Sequence, residues 1–301
     1  MGKQNIAFIY GRVSKNPIIS KKNETEYNYG MVYIDTVRSL RKVEDCNNYI
    51  KHDHPLIMSA EKEILDKMSE WQENDIVLIK GTITSRSMDK TSYCPTCKDD
   101  NGMQFANHSK GNLVYITPIY AERLKSYGDD KRSAVQDVVN NMEISNQVYV
   151  IGTLIRDPKI FKTKKGAQIT QYQIAINRKF LIRTDNPNFK TDYPMVKSYG
   201  EHAREDKIYL RYQAEVLIDG YLQARTVKRK CTCAKCGKIY EWADHLMELV
   251  PYDTEYISGQ KTNEEVEAEF HQGVEELKQQ LFDNDYKDEL EDDLKSEDIV
   301  G

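Results

Sequence analysis

The sequence predicts a mainly β protein: two tandem five-stranded barrels, a short helix between them, a C-terminal helix and a disordered acidic tail. Three observations carry this. First, the chain repeats itself. Asn5-Ile-Ala-Phe-Ile-Tyr-Gly11, followed by Pro17, returns as Asn146-Gln-Val-Tyr-Val-Ile-Gly152, followed by Pro158. Asp75-Ile-Val-Leu-Ile-Lys-Gly81 returns as Ala214-Glu-Val-Leu-Ile-Asp-Gly220, Arg86 as Arg225, and Cys94/Cys97 as Cys233/Cys236. Features repeated in one order at a nearly constant offset indicate an internal duplication. Second, the apolar runs inside each copy are short and bounded by Gly, as strands are. Third, charge is divided. Residues 264–301 hold 15 acidic and 3 basic side chains, whereas 1–263 carry a net charge of +7.

The elements follow in order. Ile6–Tyr10 and Val148–Ile151 are apolar runs entering Gly11 and Gly152, where a bulge or sharp bend is expected. Tyr29–Val37 and Gln168–Asn177 are the next strands. In the latter, Tyr172, Ile174 and Ile176 sit at period two, as a strand with one buried face requires. Ile64, Leu65, Met68 and Trp71 fall three or four apart and predict a helix within 59–71. Asp75–Lys80 is a strand entering Gly81. Five strands and one helix in about 110 residues suit a small closed Greek-key barrel. The expected boundaries are 1–120 for the first barrel, 121–145 for a connecting helix with Ala134, Val135, Val138, Val139 and Met142, and 146–257 for the second barrel. The remainder, 258–301, should hold a helix marked by Val266, Phe270, Val274, Leu277 and Leu281. After Phe282 the chain is mostly Asp, Glu and Lys, which buries too little apolar surface to offset the entropy of ordering.

Composition excludes several classes. No stretch of 18 apolar residues occurs, so no membrane-spanning helix is expected. Met1–Asn5 lacks the apolar run of a secretory signal, and a cytoplasmic location follows as the expectation. In that reducing setting, two Cys-x-x-Cys pairs read as metal or redox sites rather than disulfides. A basic body suits a polyanionic partner. There is no Walker loop, no dinucleotide fingerprint and no zinc-deaminase signature. No nucleophile–base arrangement is visible either, so the expectation is that the protein is not an enzyme.

The second copy resembles the bacterial single-stranded DNA-binding protein family. The residues that carry the resemblance are Asn146-Gln-Val-Tyr-Val-Ile-Gly152-Thr-Leu-Ile-Arg156-Asp157-Pro158, Ile174-Ala-Ile-Asn177-Arg178-Lys179-Phe180, Val196-Lys-Ser-Tyr199-Gly200 and Val216-Leu-Ile-Asp219-Gly220-Tyr-Leu-Gln-Ala-Arg225. The resemblance implies OB-fold barrels and coating of single-stranded DNA in replication or recombination. It also implies an acidic tail that recruits partner proteins of those processes. It reaches the first copy only through the duplication, where Arg38 aligns with Arg178. Tyr199 stands where the family usually has an aromatic, often Trp. Chains of the family generally carry one barrel and assemble as oligomers. Two barrels per chain mean that a homodimer would present four. The family's tail usually closes in Pro-Phe, whereas this sequence reads Asp298-Ile-Val-Gly301.

Single strands are held by cations that track phosphates and by aromatic faces that stack on bases. The chain has 20 Tyr. Expected DNA contacts are Tyr172, Arg178, Lys179, Phe180, Arg183 and Tyr199 in the second copy, and Tyr33, Arg38, Arg41 and Lys42 in the first. The competing reading for each Tyr is core or hairpin packing.

Each cysteine pair falls in what would be the last hairpin of its barrel. A tetrahedral zinc site needs four ligands and one Cys-x-x-Cys supplies two. Cys94, Cys97, Cys233 and Cys236 could pool into one structural zinc site, or each pair could be completed locally, with Cys231 and His245 available in the second copy. Free thiols or a redox pair are the other readings; Cys46 has no evident role, and His52-Asp53-His54 reads as a polar loop. The alternative to DNA coating is an OB-fold interaction or RNA-binding module stapled by zinc.

Overall fold

The computed structural model describes residues 4–21, 27–38, 51–163, 166–182 and 190–279. The first half comprises β1 (Asn5–Val13), β2 (Ile18–Lys21), β3 (Tyr27–Val37), β4 (His52–Asp53), β5 (Leu56–Ser59), α1 (Lys62–Ser69), β6 (Ile76–Lys98) and β7 (Gln104–Lys125). Two helices follow, α2 (Lys131–Asn140) and α3 (Met142–Ser145). The second half comprises β8 (Asn146–Leu154), β9 (Lys159–Lys162), β10 (Gln168–Asn177), β11 (Thr191–Asp192), β12 (Met195–Tyr199), α4 (Gly200–Tyr209), β13 (Glu215–Thr232) and β14 (Ile239–Ser258). A further helix, α5, covers 263–279. Arg41, Lys42, Cys46 and Arg183, and the tail beyond 279, lie outside the described residues. No helix among the described residues is long and apolar enough to cross a membrane.

Each half closes on itself. β1 pairs with β6, β6 with β7, β7 with β5, β5 with β3, and β3 returns to β1. β8, β13, β14, β12 and β10 form the same ring. In both rings one pairing is parallel, Ile57 to Ile116 in the first and Val196 to Leu249 in the second. Alternation along the strands fills the interiors: β10 buries Thr170, Tyr172, Ile174 and Ile176 and turns the intervening residues outward. α1 packs Ile64, Leu65 and Met68 inward. α4 holds the matching place in the second half but buries only Ala203 and Asp206.

Gly11 adopts no left-handed backbone and forms no bulge; it pairs in register with Val77. The expected bend is instead a close approach. A Cβ on Gly11 would stand 2.5 Å from the Asp35 carbonyl oxygen, and one on Gly152 would stand 2.9 Å from Ile174 Cδ1. Both glycines sit where the first strand of a ring passes hard against the third.

The halves join edge to edge. β1 runs antiparallel to β8, with Asn5 opposite Val150, Ala7 opposite Val148 and Ile9 opposite Asn146. Since Asn5 corresponds to Asn146 and Ile9 to Val150, the seam has an approximate two-fold axis through Ala7 and Val148. Side chains respect it. Asn5 exchanges two hydrogen bonds with the backbone of Ile83 at 2.8 and 2.9 Å. Asn146 does the same with Leu222 at 2.9 and 3.0 Å. Both asparagines are buried, so their amides satisfy backbone groups that would otherwise be stranded.

Candidate nucleic-acid interface and candidate metal centre

The outer face of each ring is set by the register of its strands, because residues directly opposite in a pair share a face. On the second half, Ile169 of β10 stands between Phe161 of β9 and Tyr199 of β12. In the next row Gln171 stands between Lys159 and Lys197. Phe161 is 47% exposed and Tyr199 38%. The Tyr199 hydroxyl meets Gln223 Oε1 at 3.3 Å, and burial of the ring raises its phenol pKa. On the first half, β3 turns Tyr29 and Tyr33 outward, with Tyr33 opposite Leu56 and 51% exposed. Each half therefore shows two accessible aromatic rings on a strand face.

Tyr33 and Tyr199 were expected in this role; Tyr29 and Phe161 were not. Alternation in the sequence does not mark Phe161, because all four residues of β9 are exposed; its pairing with β10 sets its face. Lys179 is exposed and its ammonium lies 6.0 Å from the half-buried Phe180 ring, just past the end of β10.

Three expected contacts are placed otherwise. Tyr172 is 1% exposed in the core and offers no face to a base; the period-two reading of β10 prevails. Arg38 and Arg178 are committed to carboxylates. Arg38 pairs through Nε and Nη2 with Asp53, and Arg178 through Nε and Nη2 with Asp192 at 2.6 and 2.8 Å. Both carboxylates are fully buried, and the arginine side chains are 13% and 8% exposed. Arg38 also lies over the Tyr221 ring of the other half at 4.7 Å. In the sequence these arginines show only their charge, and charge alone does not reveal a buried partner.

β6–β7 and β13–β14 extend beyond the rings as long hairpins that meet near their tips. Tyr240 Oη bonds Ser92 Oγ at 2.8 Å and accepts from Asn107 Nδ2 at 2.9 Å. Asn107 Oδ1 accepts from the backbone N–H of Ala234 at 2.9 Å. Lys90 of the first hairpin pairs with buried Asp244 of the second. Between the hairpins and the outer faces lie two grooves. One, of about 470 Å³, has Gln171 and Met195 of the second half as its floor. The other, of about 490 Å³, is lined by Tyr33, His54 and Leu56 of the first. They meet at Asn112, Val114, Leu246 and Met247, which line both.

At the tips the Sγ atoms of Cys94, Cys97, Cys233 and Cys236 lie within 4.8 Å of one another. The pairs are pooled, two from each hairpin. Cys94 to Cys236 is 4.0 Å and Cys97 to Cys233 is 3.9 Å. A disulfide would need about 2.05 Å. A tetrahedral ion with bonds of about 2.3 Å to sulfur sets neighbouring sulfurs about 3.8 Å apart. The four residues thus fit a metal in number, donor type and spacing. His245 is not among them, and the Cys231 thiol faces the Thr232 carbonyl at 3.7 Å.

Fold and site together define a two-barrel β protein with aromatic outer faces and a four-cysteine cluster. Residues 145–235 match the model of the single-strand binding protein family. Over 86 residues, 28% of this chain, the sequence is 35% identical to single-stranded DNA-binding protein 2 of Chlorobaculum tepidum. Over 84 residues it is 29% identical to the single-stranded DNA-binding protein of Thermotoga maritima. The matched stretches span 57% and 60% of those two relatives. The crystal structure of the single-stranded DNA-binding protein from Thermus aquaticus superposes with a TM-score of 0.57 at 12% identity, covering 87% of this chain and 97% of that one. This chain resembles bacterial-type single-stranded DNA-binding proteins in sequence over its second half and in fold across both halves.

Proposed function

We propose that this protein binds and coats single-stranded DNA without catalysing a reaction, each barrel forming one DNA-binding domain. The observation that supports the reading is the pair of accessible aromatic rings on each outer face, one face lying in the segment that matches the family. An aromatic face stacks on any base, so this arrangement grips without reading sequence. Neighbouring lysines, Lys159 on the second half and Lys179 beyond it, meet phosphates. A zinc ion held by Cys94, Cys97, Cys233 and Cys236 ties the hairpins together and has a structural role. The acidic segment after α5 recruits proteins of replication or recombination and competes with DNA for the basic body.

Anisotropy titration of labelled oligo-dT at several salt concentrations, with duplex DNA and RNA as competitors, tests the reading. Binding should be tightest to single-stranded DNA. Log affinity should fall with log salt at about 0.7 per phosphate neutralised. Failure to bind oligo-dT at low ionic strength overturns it.

A further inference from the structure

The geometry points to a second single-strand-binding site, in the groove that the two hairpins roof over the second barrel, with Trp242 as its stacking residue. This rests on the single-stranded DNA reading and names a surface that the outer-face aromatics do not include.

The site is built by both halves. The first hairpin contributes Lys90 and Lys110, the second contributes Arg229, Lys230 and Trp242, and the floor is Gln171 with Met195. Arg229 stands opposite Trp242 in the β13–β14 ladder, so cation and ring share one face of the hairpin. Trp242 is half-buried and packs against the cysteine cluster, which holds its ring in place. A rigid platform loses little freedom when a base stacks on it.

Charge selects the occupant. Two carboxylates line the groove, Asp244 and Glu248, and both are spent. Asp244 pairs with Lys90 and Arg229. Glu248 pairs with Arg225 at 2.8 Å and Lys197 at 3.8 Å. The lining holds four cations, Lys90, Lys110, Arg229 and Lys230, against Asp244 and Glu248, so it is net positive even though Lys90 and Arg229 share Asp244 and Lys110 pairs with Asp89 outside the lining. A polyanion with flat apolar groups fits this lining: a strand of unpaired nucleotides. The floor continues the outer face, since Gln171 lies one row from Ile169 and Phe161. The groove also opens at Asn112 and Leu246 into the one lined by Tyr33. A strand lying on the barrel face passes beneath the hairpins without leaving the protein.

The chain has two tryptophans, and Trp71 is 3% exposed in the core behind α1. Both tryptophans emit, but the buried Trp71 cannot stack on a base, so a change in emission on binding reads Trp242. Full-length protein is titrated with oligo-dT while anisotropy and tryptophan emission are followed together. Emission should be quenched in step with binding, and the quench should vanish in Trp242→Phe while anisotropy still reports binding. Trp242→Leu, which removes the flat ring, should weaken binding about 5- to 150-fold, the range of one lost base stack, with far-UV circular dichroism unchanged. Binding with unaltered emission, or undiminished affinity in Trp242→Leu, overturns the groove site and leaves the outer-face reading standing. If oligo-dT does not bind at all, both fall.

Discussion

The carboxylate of Asp53, held in the first half by Arg38, accepts the backbone N–H of Ala224 in the second half at 3.1 Å. The relation is reciprocal: Asp192, held by Arg178, accepts the backbone N–H of Ser85 at 2.7 Å. Two buried ion pairs therefore act as cross-ties over the seam, each satisfying a backbone donor of the opposite ring.

Removing one partner of such a pair leaves the other charge buried and alone, which costs about 3–5 kcal/mol. Asp53→Ala and Asp192→Ala should each lower the free energy of unfolding by an amount in that range, read from the fall in urea midpoint at unchanged m. The salt dependence of oligo-dT binding by the surviving folded protein should not change. If Arg38→Ala instead flattens the salt slope while stability holds, that arginine meets phosphate after all.

Metal content gives a second outcome. Purified protein should carry one zinc per chain by elemental analysis. Because the ligands are pooled, replacing Cys94 and Cys97 by Ser should remove all of it rather than half. Cys94 is lowered to about 6, first by its hydrogen bond with Thr96, whereas Cys97 is raised to about 12, first by its contact with Cys236. Four crowded sulfurs compete for protons, and a divalent cation replaces those protons. Zinc should accordingly be released on acidification, since metal and proton share the same atoms.

A third outcome concerns pH. Asp206 of α4 is fully buried, and that burial raises its pKa above the ordinary carboxylate value despite hydrogen bonds from Ser198 and Tyr256. Below the unfolded pKa both states are protonated and the group contributes no pH dependence. As pH rises past it the unfolded chain ionises first, so stability falls until the folded pKa is reached. Asp206→Asn, which keeps an acceptor for the Tyr256 hydroxyl, should remove this decline. Thermal midpoints from pH 3.5 to 8 for the two proteins would show it, and parallel curves would refute it.

Base stacking predicts graded losses. Alanine at Tyr33, Phe161 or Tyr199 should each weaken oligo-dT binding by about 1–3 kcal/mol. Alanine at Tyr172 should act on stability instead, costing roughly 3–5 kcal/mol as a large core ring is lost. Affinity and urea midpoints measured on the same four proteins separate the two roles.

Deleting 280–301, which holds 9 acidic and 2 basic side chains, should tighten binding at low salt. The gain should fade as salt approaches the physiological range, where the Debye length is about 8 Å. Equal affinities at low salt would show that this segment does not screen the basic surface.

Much of the architecture was legible. The repeat, the strand periodicity of β10 and the helix around Leu65 are local signals, and each appears where the residues place it. α4 was missed because it has no apolar stripe: it buries Ala203 and Asp206, and a buried acid reads as surface. Gly11 was legible as a special position but not for its reason, since close approach to Asp35 depends on a strand more than twenty residues away. The site divides the same way. Spacing identified the four cysteines, but only the meeting of the hairpin tips settles that they face one another. Phe161 and Tyr29 needed the register of three strands. Arg38 and Arg178 needed Asp53 and Asp192, carboxylates 15 and 14 residues further on that only folding buries beside them.

The approximate dyad through Ala7 and Val148 has a directional consequence. A nucleic-acid strand is polar, running 5′ to 3′, whereas a two-fold rotation reverses the direction of any path that crosses its axis. A strand laid straight over the seam would therefore meet the two barrels in opposite senses, and identical surfaces could not grip it equally well. Duplicated halves on one polar ligand come under pressure to diverge, and they have done so at the ligand-facing rows: tyrosines on the middle strand of one, Phe161 and Tyr199 on the flanking strands of the other.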